Sequence, residues 1–582
     1  MSTKTKIICT IGPATSDLNT MIAMIEAGMS VARLNFSHGS LETHQHNIEL
    51  LKQARKKTER PVAIMLDTQG PEIRVGKIKN DAKELSAGQF LRLQAQGDGE
   101  QTITVDPPEV LSCLSVGTKV LFDDGYITAQ VSEVGLDYAI VQILNKGVLK
   151  TSKKMNIPGV HLPIPALTPR DINDLKFGCT HDVDYVAASF IRSSHHVLTI
   201  KEILAKEGKP HIQVIAKIES TEGVENFDSI IQVADGIMIA RGDLGVEIDL
   251  AKVPRLQKMM IRKCFQACKP SITATQMLES MISNPRPTRA EASDVANAIY
   301  DSTSCIMLSG ETAVGRYPVE TISRMQSIAK EAENDFNYHQ FFDEHSRRDY
   351  HDTPSAIALA AVKTAYGANA KAIFAFTASG STARFISRLR PSMPIIAVTF
   401  SEAVYQQLAL NWGVIPILLK KCSNVKEALS EASALAMDQG IISFGDLVIV
   451  TAGVPFGKKG STNMMTIESI GAVLVRGHKG FGAKVSGKVS MVLSPEGRDP
   501  QEFQGRIVVL LHCDNAFLPL LKHASGVILQ NHLGDVSSEK YAALVAKTLE
   551  ISVISRADGA MSLLQEGEEV TLDPQRGLVY RK

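Results

Sequence analysis

This sequence has no excess of positive or negative charge, no cluster of cysteines and no long apolar run. Lys plus Arg and Asp plus Glu number 62 each, so bulk attraction to nucleic acid or to an anionic membrane is not expected. The eight cysteines form no CxxC pair, which fits a reducing cytosol. There is no apolar run of about 18 residues and no signal-peptide pattern, so we expect a cytoplasmic protein without a membrane span.

Eight short apolar runs organise the first part of the chain. The 582 residues exceed the span of one hydrophobic core, so we expect three to five units. The apolar runs alternate with amphipathic stretches, as parallel strands alternate with helices. The candidate strands are residues 6–10, 31–35, 62–67, 185–189, 213–218, 236–240, 270–273 and 305–308. They predict an α/β fold of the (β/α)8 type, in preference to a doubly wound open sheet, with an active site at the strand ends.

Residues 72–165 interrupt this alternation. They are rich in β-branched residues and turn signals such as Asp123-Asp124-Gly125, and they show no helical periodicity. We expect a small all-β domain inserted after the third strand, where it can act as a lid that excludes water from the site. The catalytic barrel is then built from residues 1–71 and 166–345.

Downstream of the barrel, the sequence predicts two further units. Residues 333–354 are polar and charged and are interpreted as a linker. An α/β domain is expected at residues 350–472, with strands at 372–376, 395–399, 414–419 and 447–451. A glycine-rich junction then leads to a last unit at residues 475–582.

Charged residues end two adjacent apolar runs. Lys217 and Glu219 are two apart on one strand, so their side chains project to the same side. The next strand leads into Arg241-Gly242-Asp243, where glycine allows a tight turn and Asp243 stands at the strand end. Two carboxylates beside a lysine indicate a divalent metal next to a cation, a site that could hold phosphate or an enolate.

A second polar group follows the second and third strands. Arg33, Asn35 and Ser37 are spaced two residues apart, so their side chains would also project to one face. Asp67 and Thr68 add oxygens at the end of the third strand. Asn35, Ser37, Asp67 and Thr68 together resemble an oxygen cage for a monovalent cation, although an Asn or Asp at a strand end also fits an ordinary turn.

Thr275 stands at the end of the seventh strand, two residues after Thr273. Its hydroxyl could take part in a proton relay beside the lysine and the metal. A helix N-cap is a second interpretation of the same residue, and both can hold.

A series of motifs along the chain closely resembles the pyruvate kinase family. They are Ile11-Gly12-Pro13, Asn35-Phe36-Ser37-His38-Gly39, Leu66-Asp67-Thr68, Gly70-Pro71-Glu72-Ile73-Arg74, Ala240-Arg241-Gly242-Asp243-Leu244-Gly245, Thr275-Gln276-Met277-Leu278-Glu279-Ser280 and Leu308-Ser309-Gly310-Glu311-Thr312. The resemblance covers residues 1 to about 470. It implies transfer of the phosphoryl group of phosphoenolpyruvate to ADP, giving pyruvate and ATP in the last step of glycolysis.

The resemblance implies roles for the residues that match the family's motifs. The catalytic residues would be Lys217, Arg33, Thr275 and Arg74. The ligands of Mg2+ or Mn2+ would be Glu219 and Asp243. The substrate would contact Arg33, Lys217, Gly242, Asp243 and Thr275.

The same resemblance implies a K+ site formed by Asn35, Ser37, Asp67 and Thr68. Glu72 stands where K+-dependent members of the family carry Glu, so we expect K+ dependence. Gln69 departs from the family's pattern because many members have Lys there, which removes one positive charge near the oxygen cage.

Residues 377–382 follow a strand and open a helix. Their backbone N–H groups and small hydroxyls can cradle a phosphate, although an ordinary capped turn has the same pattern. In the family this loop binds a phosphorylated effector, so the resemblance implies allosteric activation by a sugar phosphate or a nucleotide. The effector-binding residues would be Thr377, Ser379, Gly380, Ser381 and Thr382. Lys458, Lys459 and Gly460 could close over the loop or form a solvated face.

The last unit is similar to the swivelling phosphohistidine domain of phosphoenolpyruvate-utilising enzymes. Residues 524–529 and 567–573 carry this likeness. The carrier histidine expected after a Thr-Ser pair is missing, because the chain reads Val536-Ser537-Ser538-Glu539, and His532 is out of register. We interpret this unit as structural or assembly-related rather than as a phosphocarrier.

Two alternative functions share parts of this pattern. A barrel lyase or aldolase acting on pyruvate-type enolates would need the lysine and the metal carboxylates but neither the lid nor the K+ cage. A silent metabolite-binding regulator would not need Arg33, Lys217, Glu219 and Asp243. The family resemblance favours an allosteric enzyme that assembles as a homotetramer.

Overall fold

Eight parallel strands close into a barrel in the computed structural model, which describes residues 3–161, 163–346, 352–457 and 460–581. Each strand pairs with the next one along the chain, and the eighth pairs with the first. They are β1 Lys6–Ile11, β2 Met29–Asn35, β3 Ala63–Asp67, β4 Tyr185–Ala188, β5 Gln213–Ile218, β6 Gly236–Ala240, β7 Ser271–Ala274 and β8 Cys305–Leu308. The predicted barrel is confirmed.

The barrel strands are buried on both faces, which explains their continuous apolar sequences. Successive residues point to opposite faces of the sheet. Ile8, Ile215 and Ile272 pack together in the barrel interior, whereas Ile7 packs in the outer layer with helix residues such as Met21. This arrangement leaves the strand ends as the place where charged side chains can meet.

Helices cover the outside of the barrel. One of them, Arg289–Tyr300, begins with a capping box in which Thr288 and Glu291 bond each other's backbone N–H groups. The others are Leu18–Ala27, Leu41–Thr58, Pro169–Thr180, Ser194–Lys206, Thr221–Glu225, Phe227–Val233, Arg241–Glu247, Val253–Gln266, Gly310–Ala313 and Pro318–Asp335.

In its described residues, the domain inserted between β3 and β4 consists of β-strands and two 3-10 turns. Its larger sheet has the order Met155–Asn156, Lys119–Phe122, Ile127–Val134, Tyr138–Ile143, Phe90–Gln94, Thr102–Asp106 and Arg74–Val75. A second sheet pairs Gly147–Lys150 with Ala82–Leu85. Inward-facing residues such as Leu93, Val120 and Val141 form a separate core, so the insertion has its own apolar interior.

A five-stranded sheet follows the barrel. Its order is Val414–Leu418, Ile395–Thr399, Ala372–Phe376, Leu447–Gly453 and Thr462–Ser469, so the four predicted strands are present and the fifth was missed. The accompanying helices are Thr353–Gly367, Ser381–Ser387, Glu402–Gln407 and Val425–Asp438. The predicted linker at 333–354 was wrong in part, because it contains the helix Tyr338–Ser346. Phe341 of this helix packs edge-to-face against Phe265 and stacks on His345.

The last part of the chain forms an eight-stranded sheet. Its order is Val473–Arg476, Leu578–Arg581, Glu569–Asp573, Val485–Met491, Ile507–Leu510, Gly526–Leu529, Ser552–Ser555 and Lys479–Phe481. Three helices accompany it: Leu518–Leu521, Val536–Leu549 and Ala560–Leu563.

Packing divides the chain into two units. The first comprises Met1–Val362, Phe374–Cys422 and Thr451–Met464, and the second comprises Lys363–Ile373, Ser423–Val450 and Met465–Lys582. The barrel, the inserted domain and residues 377–382 belong to the first unit. None of the helices in the described ranges has the length and apolar character needed to cross a membrane.

Candidate active site

A buried cluster of charges lies at the carboxyl-terminal ends of the barrel strands. Lys217 Nζ lies 2.9 Å from Asp67 Oδ1 and 3.2 Å from Glu219 Oε1, and it donates to Ser189 Oγ at 2.6 Å. Lys217 and Glu219 therefore project to the same side of β5, as their spacing predicts. Asp67 reaches the same ammonium group from β3.

Arg33 is the second cation of the cluster. Its Nε lies 2.6 Å from Asp67 Oδ2, and its Nη1 donates to Thr10 Oγ1 at 2.9 Å. Asp67 is fully buried, and the side chain of Arg33 is only 9% exposed. One carboxylate thus positions both the guanidinium group and the Lys217 ammonium group.

The pKa values of the cluster show how its charges are maintained. Burial opposes ionisation of Asp67, but Arg33 and Lys217 outweigh it and hold the pKa of Asp67 below its ordinary value. Burial would also lower the pKa of Lys217, yet Asp67 and Glu219 raise it. Burial and the nearby Asp243 charge raise the pKa of Glu219 in spite of Lys217. The lysine is consequently kept charged although it is buried.

Glu219 and Asp243 form the second part of the site. Glu219 Oε2 accepts the backbone N–H of Phe190 at 2.6 Å, and Asp243 Oδ1 lies 2.8 Å from Lys154 Nζ. Across the part of the chain that the structure describes, no group of three or more His, Cys, Asp and Glu side chains is arranged to hold a metal. Two carboxylates fit Mg2+, which proteins usually bind through one or two carboxylates together with substrate phosphates and water.

Thr275 has a left-handed backbone with φ of 69°, which is rare for a β-branched residue. Its Oγ1 accepts the N–H of Gly242 at 2.8 Å and donates to the Ala274 carbonyl at 2.6 Å. The N-cap interpretation was wrong as stated, because the 3-10 helix that follows begins after Leu278. Thr275 instead bonds the first turn of the neighbouring helix Arg241–Glu247, which also contains Asp243.

The residues of the predicted K+ cage follow β2 and β3 side by side. Asn35 and Asp67 are register neighbours on these strands. Asn35 Oδ1 accepts the N–H of Ser37 at 3.1 Å, and Thr68 Oγ1 accepts the N–H of Ser189 at 3.1 Å. Neutral oxygens beside one buried carboxylate suit a weakly hydrated monovalent cation, although both oxygens of Asp67 also face cations.

Glu72 joins the inserted domain to the barrel site. It is paired with Arg74, and its Oε1 lies 2.8 Å from Lys154 Nζ. Lys154 therefore bridges Glu72 and Asp243, and these two charges raise its pKa against the effect of burial. A cavity of about 80 Å3 lies beside this bridge, between the inserted domain and the barrel, and is lined by residues that include Phe190 and Thr221.

Gln69, the departure from the family pattern, lies next to these charges. Its Oε1 accepts from Arg170 Nη1 at 2.9 Å, and Arg170 Nη2 donates to the Phe36 carbonyl at 2.7 Å. Arg170 thus supplies positive charge close to the position where many family members carry Lys.

The predicted effector loop surrounds a small cavity of about 30 Å3. Gly380 has φ of 79° and stands just before the helix Ser381–Ser387. Thr382 Oγ1 and Thr462 Oγ1 are 2.6 Å apart, and the hydroxyl of Thr377 is buried without a partner. The loop residues therefore do converge, while Lys458 and Lys459 lie outside the described residues.

In the last part of the chain, Ser537 and Ser538 lie in the first turn of the helix Val536–Leu549. Asp535 caps this turn by accepting from Ser538, and the nearby His532 Nδ1 accepts from the N–H of Gly534. The helix start therefore carries two serines where the expected Thr-Ser pair would be, and Glu539 follows them where the carrier histidine was expected.

Three residues of the site were missed in the sequence. Lys154, Arg170 and Ser189 stand outside the quoted motifs, and Lys154 lies 89 residues from its partner Asp243. Ser189 was included in a strand candidate but was given no role. Its position directly after β4 is the one signal that could have identified it.

A closed (β/α)8 barrel with cations and carboxylates at the carboxyl-terminal ends of its strands is the architecture of an enzyme, and comparisons with known proteins specify the family. Residues 2–322 match the family model of the pyruvate kinase barrel domain, 355–468 match the pyruvate kinase alpha/beta domain, and 502–577 match the mobile domain of PEP-utilising enzymes. The chain belongs to the pyruvate kinase family.

Individual relatives agree with this assignment over the full length. The chain is 43% identical to a pyruvate kinase of Geobacillus stearothermophilus, with 100% of this chain and 99% of the relative covered. It is 42% identical to a pyruvate kinase of Sporosarcina psychrophila, covering 99% and 98% respectively. A crystal structure of a pyruvate kinase from Cryptosporidium parvum superposes with a TM-score of 0.77 at 40% identity, covering 80% of this chain and 96% of that one.

Proposed function

We propose that the cluster around Lys217 carries out phosphoryl transfer from phosphoenolpyruvate to ADP. The observation that supports this most strongly is the pair of cations, Lys217 and Arg33, held in place by one buried carboxylate, Asp67. Phosphoryl transfer depends mainly on positioning and on neutralising oxygen charge. Both cations would contact the phosphoryl group, and Lys217 would also face the enolate oxygen that develops as the bond to phosphorus breaks.

Glu219 and Asp243 are proposed as the protein ligands of Mg2+ or Mn2+. Their oxygens are the donors such ions prefer. Burial, together with the Asp243 charge, raises the pKa of Glu219, and a bound cation would offset both effects. When bound, the ion would supply positive charge beside the phosphoryl group and the enolate oxygen. Lys154, which pairs with Asp243, would place a further ammonium group beside the same carboxylates.

Thr275, Gly242 and Arg74 would complete the substrate site. Thr275 Oγ1 accepts the N–H of Gly242, the residue before Asp243, and donates to the Ala274 carbonyl. Turned from that carbonyl toward the substrate, the hydroxyl would join a proton relay to the enolate. A water molecule held by the same residues is the other possible proton donor. Arg74, at the first strand of the inserted domain, would approach the transferred group as that domain closes and excludes water.

A coupled assay tests this function directly. Pyruvate formation from phosphoenolpyruvate should require ADP, Mg2+ and K+ together. A lyase or aldolase would form no pyruvate from phosphoenolpyruvate and would instead release it, without ADP, from a substrate whose carbon–carbon bond it cleaves. A silent regulator would form none from either substrate. A homotetramer is proposed on the family resemblance, and light scattering after size-exclusion chromatography would measure its mass.

Activity should depend on K+. We expect replacement of K+ by tetramethylammonium, at constant ionic strength, to lower kcat by about tenfold or more, because the cage of Asn35, Ser37, Asp67 and Thr68 would lose its cation. Steady-state assays with either salt measure the difference. Equal rates in the two salts would contradict both the K+ site and the role given to Glu72.

The loop at residues 377–382 is proposed as the site of a phosphorylated effector. Ser379→Ala combined with Thr382→Ala should abolish activation by sugar phosphates or nucleotides and leave basal turnover within about twofold. The reason is that these hydroxyls contact Ser381 and Thr462 rather than the cluster around Lys217. A panel of phosphorylated metabolites, assayed at subsaturating phosphoenolpyruvate, measures activation. The matched control is Ser112→Ala with Thr180→Ala, two exposed hydroxyls. Activation that survives in the loop variant would refute the assignment.

A further inference from the structure

One arginine side chain contacts both of the loops that carry the proposed K+ ligands. Arg170 is the second residue of the helix Pro169–Thr180. Its Nη2 donates to the Phe36 carbonyl at 2.7 Å, and its Nη1 donates to Gln69 Oε1 at 2.9 Å. A single guanidinium group therefore joins the loop after β2 to the loop after β3.

Both acceptors are direct neighbours of the cage residues. Phe36 stands between Asn35 and Ser37 in the loop after β2. Gln69 directly follows Thr68 in the loop after β3. A displacement of either acceptor would move the backbone that carries the cage oxygens.

The start of the helix is itself fixed to the loop after β3. Thr168 and Asp171 form a capping box at this start. The buried Asp171 Oδ1 also accepts the N–H of Gly70 at 3.0 Å. Gly70 has φ of 75°, a conformation that glycine adopts readily. These bonds place the backbone of Arg170 beside Gln69.

The contacts of Arg170 use the shape of its side chain. A guanidinium group is a planar fork, so two of its nitrogens can donate to two acceptors at once, which a single ammonium group does less well. Arg170 Nε also lies 3.9 Å from Asp174 Oδ2, one turn along the same helix. Asp174 thus provides the opposite charge, while the two uncharged acceptors define where the fork lies.

Gln69 suits this arrangement because its amide has an acceptor and a donor. Its Oε1 accepts from Arg170, and its Nε2 donates to Glu72 Oε2 at 3.4 Å. A lysine, which many family members carry at position 69, has no acceptor atom for Arg170. The contact between Arg170 and the loop after β3 therefore depends on the residue in which this chain departs from the family pattern.

We propose that Arg170 is a positioning residue of the K+ site, which fixes the loop of Asn35 and Ser37 relative to the loop of Asp67 and Thr68. This role rests on the K+ site proposed above. A cage whose oxygens are already in place binds a cation more tightly, because less ordering is needed on binding.

The positive charge of Arg170 acts in the opposite direction, since it repels a cation in the cage. The Arg170 side chain is 51% exposed and faces Asp174, so solvent and this carboxylate weaken the repulsion. We therefore expect the positioning effect to be the larger of the two.

Binding of thallium(I), a monovalent ion close to K+ in size, tests this role without substrates. In 205Tl nuclear magnetic resonance titrations of the full chain, Arg170→Met should raise the dissociation constant by about fivefold to tenfold, since both hydrogen bonds are lost. Arg170→Lys, which keeps the charge, should have a smaller effect. Lys176→Met, which removes an exposed lysine of the same helix, should bind like the unmodified protein. An equal or lower dissociation constant in Arg170→Met would overturn the proposal.

A second variant covers the case in which Arg170→Met does not fold. Gln69→Met removes one acceptor of the guanidinium group and leaves Arg170 in place. It should weaken thallium(I) binding by about twofold to threefold. Binding as tight as in the unmodified protein would contradict the role of this contact.

Kinetics distinguish failure of this role from failure of the K+ site. In the coupled assay, Arg170→Met should raise the K+ concentration for half-maximal rate by about the factor found for thallium(I), and high K+ should restore kcat, which a loss of folding would not allow. If the unmodified protein neither binds thallium(I) nor responds to K+, the K+ site and the role of Arg170 are both wrong. If it does both and Arg170→Met has the same constants, the K+ site stands and only the role of Arg170 is refuted.

Discussion

Replacing Lys217 with Met should lower kcat by about 100- to 1,000-fold while the KM for phosphoenolpyruvate changes much less. The reason is that the ammonium group matters most when charge develops on the enolate oxygen and the transferring phosphoryl group. In the ground state, Arg33 and the metal would still hold the phosphoryl group. Steady-state kinetics of the purified variant, in the coupled pyruvate assay, measure both parameters.

The controls for Lys217→Met must exclude loss of structure. Removal of the ammonium group leaves Glu219 and Asp67 with fewer opposite charges, so circular dichroism and a thermal melt should be recorded with the kinetics. Lys176→Met removes an exposed lysine from the barrel and should keep full activity. A folded Lys217→Met variant with near-normal kcat would refute the catalytic role.

The second large effect is expected for Glu219→Gln. The substitution keeps the shape of the side chain and removes the charge that would bind the divalent ion. Mn2+ affinity, measured by electron paramagnetic resonance of free Mn2+, should fall by about tenfold or more, and kcat should fall by about 100-fold. The Mn2+ measurement needs no turnover, so it tests metal binding separately from catalysis.

Glu202→Gln is the matched control for this prediction, because Glu202 is an exposed carboxylate on the neighbouring helix Ser194–Lys206. It should bind Mn2+ like the unmodified protein. If Glu219→Gln binds Mn2+ equally well, the metal site lies elsewhere.

Local sequence patterns were sufficient to predict the barrel. Its strands are buried on both faces, so each reads as an uninterrupted apolar run, and the end of each run is marked by a polar residue. Because side chains alternate along a strand, the spacing of two residues also placed Lys217 and Glu219 on one side of β5. Both inferences need only neighbouring residues, which is why the sequence alone supports them.

Contacts between distant segments were not predictable in this way. Lys154 belongs to the inserted domain and reaches Asp243 in the barrel, a pairing that depends on how the two domains close. Asp67 was expected to contribute oxygens to a K+ cage, and its ion pairs with both Arg33 and Lys217 were not foreseen. The helix Tyr338–Ser346 was missed because its polar sequence resembles a linker, while its stability comes from aromatic packing on Phe265.

The most direct test of the catalytic account is 31P nuclear magnetic resonance of the reaction mixture. With the unmodified protein, Mg2+ and K+, the phosphoenolpyruvate signal should decrease as the γ-phosphate signal of ATP increases in equal amount. The Lys217→Met variant should show neither change over the same period. Loss of phosphoenolpyruvate that yields inorganic phosphate without ATP, or equal ATP formation by both proteins, would contradict the account.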